Sequence, residues 1–130
     1  MASEVVDKLD QPGLDWIVCY QSRVGPLKWI GPSTEVVIKE EAKKRKVIVV
    51  VPVAFVSEHS ETLVELDIEY KKLAKENGCK EYLRVPAVTV NQNFINSLKS
   101  SILKASSGER FTSSIKCIDK YQKCPRIQNI

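Results

Sequence analysis

The sequence predicts an α/β fold with a partial parallel sheet flanked by helices. Three observations point there. Segments rich in β-branched residues alternate with segments of helical periodicity, the pattern of successive β-α-β units. The run "VIVVVPVAFV" at 47–56 is apolar almost throughout, as a strand covered by helices on both faces would be. Strong breakers separate the segments: two Gly-Pro pairs, Gly25-Pro26 and Gly31-Pro32, and Asn77-Gly78.

Taken in order, "SEVVDKL" has the short amphipathic pattern of the last turns of a helix, closed by "DQPG". "DWIVCYQS" (15–22) is β-branched and aromatic and reads as a strand. "RVGPLKWIGPST" is a loop, and Ser33 or Thr34 caps the helix "EVVIKEEAKK" that follows. After the apolar strand, Ser57 is the expected N-cap of a helix over 58–77, with Leu63, Leu66, Tyr70 and Leu73 as its apolar stripe. Gly78 stops that helix, because glycine takes the left-handed conformation without a Cβ penalty. "CKEYLRVPAVTV" gives a third strand interrupted at Pro86, and Asn91 caps a last helix carrying Phe94, Leu98 and Ile102. Periodicity fades from "KASSGERF" onward. The expected organisation is therefore one lobe over 1–104 and a loosely ordered tail over 105–130. Three strands are few against the typical five or six, so sheet partners are expected from outside this chain.

At 130 residues the chain can bury a real core, and 43% hydrophobic with 28% charged residues is ordinary for a globular protein. The net charge of +4 is spread out apart from "KKRK" at 43–46 and a basic tail. No basic stripe with interleaved aromatics appears, so a nucleic-acid partner is not expected. No apolar run approaches the roughly 20 residues of a membrane span, and "MASEVVDKLD" lacks the apolar core of a targeting peptide. Cys19, Cys79, Cys117 and Cys124 lack the paired spacing of a zinc ribbon or redox motif.

One stretch carries possible chemistry. "PVAFVSEHSETLVELDIEY" (52–70) places five carboxylates and the only histidine, His59, just past the apolar strand. Glu61, Glu65 and Glu69 recur every four residues, which lines them along one side of a helix. Like charges at that spacing cost a few tenths of a kcal/mol per pair. Spacing alone fits a solvated acidic face, favoured near a helix N-terminus by the dipole. Position points the other way, to a site for a cation and protons, since open α/β sheets place ligands at the C-terminal ends of strands. Both readings stay open on the residues themselves.

The whole of that stretch resembles the acidic helix segment of the ferrochelatases. "YQSRVGPLKWIGPST" (20–34) is similar to the family's Gln-Ser-Lys/Arg-Val-Gly-Pro loop with its Trp-x-Gly-Pro continuation, and "ENGCKEYLRVPAVTVN" extends the likeness more weakly. The resemblance covers roughly residues 1–104 and implies the C-terminal part of the two-lobed chelatase-like fold. It implies a lyase of haem biosynthesis that inserts Fe2+ into protoporphyrin IX, forming protohaem and releasing two protons.

By that resemblance His59, Glu61, Glu65 and Glu69 are the catalytic set, with His59, Glu58 and Glu61 holding the metal transiently. Phe55, Trp29, Ser22 and Arg23 would contact porphyrin. Pro26, Leu27, Trp29 and Ile30 would form an apolar lip able to meet a membrane peripherally. The family's Ser-x-His-Ser/Gly-x-Pro motif has no counterpart here, nor does its first lobe, so the chain alone is expected to be inactive and its partner to be the N-terminal lobe. Some relatives carry a [2Fe–2S] cluster, but Cys117 and Cys124 supply only two of four ligands, so no cofactor is expected. The implied location is the cytoplasm or inner-membrane periphery of a bacterium, or the matrix side of the mitochondrial inner membrane. A non-catalytic porphyrin- or haem-binding module, or a subunit of a split enzyme, is the alternative.

Overall fold

The computed structural model describes residues 2–22, 25–26 and 29–107. They form two compact units, one ending at Thr89 and the other beginning at Val90. The first opens with α1 (Ala2–Leu9), followed after an irregular stretch by α2 (Thr34–Lys43). Ser33 starts α2 as expected: its backbone is extended and its hydroxyl accepts from the Val36 N–H.

Two parallel strands make the sheet, β1 (Val47–Val50) and β2 (Glu81–Arg84), in the register Val47–Glu81 to Val50–Arg84. Between them runs one long helix in two parts. Glu61–Tyr70 is a π-helix, and it continues directly as α3 (Lys71–Glu76). Asn77-Gly78 ends it as expected, with Gly78 at φ +89° and its N–H on the Lys75 carbonyl at 3.0 Å.

Strand alternation explains the core. Ile48 and Val50 of β1 and Tyr82 of β2 lie on one face, against Ile38 of α2 and Ala74 of α3. Tyr82 also donates its hydroxyl to the Leu66 carbonyl at 2.8 Å, and burial pushes its phenol above the usual range. On the other face Val47, Val49 and Leu83 are each about half exposed, so within the first unit the described residues cover β1 on one side. A strand this apolar is written for two-sided cover, and the described residues of the first unit supply one layer.

The strand expected over 15–22 is also absent as a strand. Tyr20 alone forms a parallel bridge to Ser33, donating to the Pro32 carbonyl at 2.9 Å and accepting from Thr34 N–H at 3.0 Å. Trp16, Ile17 and Val18 stay exposed. Extended, β-branched backbone becomes a strand only where a neighbouring edge completes its hydrogen bonds.

The second unit contains α4 (Gln92–Ser106), begun by Asn91, whose side chain accepts from the Asn93 N–H. It runs to Ser106, past position 104, and buries none of its residues. Among the described residues no helix is long and apolar enough to cross a membrane.

Candidate functional site

Beyond β1 the chain turns tightly, with Val53 N–H on the Val51 carbonyl and Phe55 N–H on that of Pro52. The Thr89 N–H reaches the Val56 carbonyl at 2.9 Å and holds this segment beside the exit from β2. Glu58 and His59 therefore stand at the C-terminal mouth of the sheet, where the π-helix begins.

The helix start is not capped by Ser57. Thr62, fully buried, does that work: its hydroxyl accepts from the His59 N–H and donates to the His59 carbonyl, each at 3.0 Å. The Glu61 N–H then goes to Nδ1 of the His59 ring at 3.2 Å. Phe55 presses edge-on against the same ring, with centroids 4.6 Å apart. With Nδ1 accepting, the neutral imidazole carries its proton on Nε2.

A π-helix has i→i+5 bonding and is usually a single-turn bulge, often at a functional site. Here it spans ten residues and changes which side chains are inside. Thr62 and Leu66 are buried and Leu63 is about half exposed, so the expected apolar stripe is corrected at its first member. The wider turn moves the inward position from 63 to 62. Glu61 and Glu65 become partly buried, while Glu69 faces solvent.

Two groups that the sequence reading did not single out organise this helix. Arg84, at the end of β2 with its side chain only 9% exposed, binds Glu58 Oε1 through Nη1 at 2.6 Å. Its Nε reaches Asp67 Oδ1 at 2.8 Å, and Nη2 closes a second bond to Asp67. Glu58 Oε1 also accepts from the Ala87 N–H at 2.8 Å. The Glu58 carboxyl is held down to about 2 by the nearby Thr62 hydroxyl, Arg84 and the Ala87 N–H. The direct bonds come from Arg84 and Ala87, because the Thr62 proton is given to the His59 carbonyl. Strand alternation could have flagged Arg84, which shares the core face with Tyr82 and so needs carboxylate partners.

Gln21 is the second. Its side-chain nitrogen donates to the Glu61 carbonyl at 2.9 Å and to Glu65 Oε2 at 2.7 Å. The Gln21 carbonyl accepts from the Trp29 indole N–H at 3.2 Å. Tyr20, Gln21, Ser22, Trp29, Glu35 and Tyr70 line a cavity of about 420 Å³ beside the acidic helix.

The structure thus packs Phe55 on the His59 ring, bonds the Glu61 N–H to that ring, ties the Glu58 carboxylate to Arg84 and the Ala87 N–H, and joins Glu65 to Gln21. Pro26, Trp29 and Ile30 are exposed. Ser22 lines the cavity with φ +62°. Arg23, Leu27, Cys117 and Cys124 lie outside the described residues. Cys19 and Cys79 are free thiols. Among the described residues no three His, Cys, Asp or Glu side chains converge as a metal-binding group. Glu58 Oε2 and Glu61 Oε2, however, are buried with no hydrogen-bond partner. An unpaired buried carboxylate oxygen is costly until a water, an ion, a ligand or a proton completes it.

Comparison of the sequence with known proteins matches the chain to a family. The ferrochelatase family model covers residues 1–106. The ferrochelatase of Pelagibacter ubique (strain HTCC1062) is 55% identical over 126 residues, 94% of this chain and 37% of that protein. Those of Caulobacter vibrioides (strain NA1000 / CB15N) and Rickettsia bellii (strain OSU 85-389) are 48% and 47% identical, over 88% and 92% of this chain. The chain spans about a third of the length of the curated relatives it matches, 34–37%. On the family model and these identities, the chain belongs to the ferrochelatase family.

Proposed function

We propose that this chain supplies one wall of a metal-insertion cleft, in which Fe2+ enters protoporphyrin IX and two pyrrole N–H protons leave. The observation that carries the proposal is that Glu58 and Glu61, on either side of His59 in the sequence, each keep one buried carboxylate oxygen with no hydrogen-bond partner. Metal insertion needs groups that accept protons and briefly hold a hydrated cation at one macrocycle face. Carboxylates and imidazole serve both ends.

In this reading His59, Glu58 and Glu61 meet the incoming ferrous ion. Glu61, Glu65 and Glu69 then carry protons outward, a role supported by their gradation from part-buried to exposed. Phe55 fixes the His59 ring and borders the macrocycle, with Trp29 and Ser22 on the adjoining loop. Pro26, Trp29 and Ile30 form the lip that meets a membrane surface from outside; the same roles expected of Arg23 and Leu27 rest on the family resemblance alone. The half-exposed face of β1 and β2 supports a second layer from another part of a ferrochelatase polypeptide, which would also bring the other wall of the cleft. The chain by itself turns over little porphyrin.

The test is a transplant. This chain replaces the matching segment of the Pelagibacter ubique ferrochelatase, and haem formation from Fe2+ and protoporphyrin IX is followed anaerobically. The transplant is expected to be active and the isolated 130-residue chain inactive. An inactive, folded transplant refutes the reading. Turnover by the isolated chain refutes the need for the second wall.

A further inference from the structure

We infer that Gln21 is a positioning residue of the metal-insertion site, a role that rests on the function proposed above. One amide nitrogen spends both its hydrogens on the acidic helix, at the Glu61 carbonyl (2.9 Å) and Glu65 Oε2 (2.7 Å). The same residue's carbonyl takes the Trp29 indole N–H at 3.2 Å. Among the described residues, Gln21 is therefore the one through which the cavity-lining loop grips both the backbone and a carboxylate of the π-helix.

The chemistry of the gripping group matters. A lysine in this place would also donate to Glu65, but as a cation it would neutralise the carboxylate and compete with an arriving metal or proton. A glutamate would offer no hydrogen to either acceptor and would face Glu65 with like charge. The neutral amide orients Glu65 and leaves its charge available. The grip also falls where it constrains most. The Glu61 carbonyl lies in the first turn of the π-helix, beside the Glu61 N–H bond that fixes the His59 ring. Pulling the loop away would free Glu65 and loosen that turn together.

A purely structural pin and a positioning residue make different predictions for Gln21→Lys. Lysine retains a donor to Glu65, so a pin is preserved, while the carboxylate's charge is cancelled. In the transplanted ferrochelatase, Gln21→Lys is expected to raise the KM for Fe2+ by about tenfold, with the KM for protoporphyrin IX within about twofold of the parent. Gln21→Met, which keeps the size and loses the donors, is expected to lower kcat with a smaller change in the iron KM. Far-UV circular dichroism and the thermal midpoint report whether either variant is folded. Gln21→Lys with unchanged kinetic constants for iron overturns the inference while leaving the function intact. A folded parent transplant without any turnover removes the function and this inference together. A third measurement needs no turnover. In the 130-residue chain, Glu65→Gln is expected to shift the Gln21 side-chain NH2 resonances, and an unmoved pair overturns the contact itself.

Discussion

Thr62→Val isolates the device that starts the acidic helix. Valine matches threonine in shape, so the fully buried site is neither emptied nor overfilled, and the change removes one hydroxyl. That hydroxyl makes two hydrogen bonds, from the His59 N–H and to the His59 carbonyl. The carbonyl is insured, because it also accepts from the Thr62 and Leu63 N–H groups at 3.0 and 2.8 Å. The N–H is not, and it becomes an orphan donor. Leaving a buried donor unpaired costs about 1–3 kcal/mol, and His59 is only partly buried, so water offsets some of this. The expected loss is about 1.5 kcal/mol. Thr62→Ser keeps the hydroxyl and gives up one buried methyl, at about 1 kcal/mol. Urea denaturation followed by circular dichroism reads both as midpoint shifts at constant slope. The variants separate in function: Thr62→Val also frees the His59 backbone and lowers turnover in the transplant, whereas Thr62→Ser keeps it. A Thr62→Val protein as stable and active as its parent would refute the reasoning.

Acid should loosen the clasp around Arg84. Glu58 titrates at about 2 in the folded chain against 4.5 in the unfolded one, and Asp67 is lowered in the same direction by Arg84. The unfolded chain therefore binds more protons, so their contribution is whole above pH 4.5 and is lost as pH falls toward about 2. Denaturation midpoints measured from pH 7 down to 2 should show that acid limb, and Arg84→Gln should flatten it; an identical limb in the variant would contradict the assignment. Gly78→Ala should cost about 1 kcal/mol, since the position has φ +89° while an added Cβ would meet only the Ala42 carbonyl at 3.9 Å. A neutral or stabilising alanine there, by thermal melting, would argue against the left-handed stop. Replacing Trp29 and Ile30 together by serine should weaken sedimentation with phosphatidylglycerol-containing vesicles several-fold, because both are exposed on the lip. Equal binding by parent and variant would remove the lip from any membrane contact.

Much of this architecture is legible in the residues, because the relevant forces are local. The Ser33 and Asn91 caps and the Gly78 stop follow from single-residue chemistry, and the structure has all three. The strand beginning at Val47 follows from its apolar run, although it ends at Val50 and the rest of the run, to 56, turns instead of extending it. What stayed hidden depends on partners distant in sequence. Nothing in the helical periodicity over 58–77 distinguishes i→i+5 from i→i+4 bonding, and that choice exchanged Leu63 for Thr62 inside. The strand written into 15–22 needs a neighbouring edge, and among the described residues Tyr20 finds only Ser33. In the candidate site, His59 and the glutamates are singled out by family resemblance, since their spacing also suits a solvated face. Gln21 lies 44 positions from Glu65, and Arg84 lies 26 from Glu58. Such pairings are visible only once the chain is folded.

The most direct test of the acidic helix as the proton- and metal-handling element is turnover by single Glu→Gln variants of the transplanted ferrochelatase. Glutamine keeps size and hydrogen bonding but can neither carry charge nor take a proton. Glu61→Gln, beside His59 and with its unpartnered buried oxygen, should lower kcat by about 10²–10⁴, the span of general acid–base catalysis. Glu69→Gln, at the solvent end, should lower it only a few-fold. Full iron insertion by a folded Glu61→Gln variant would contradict the account at its centre.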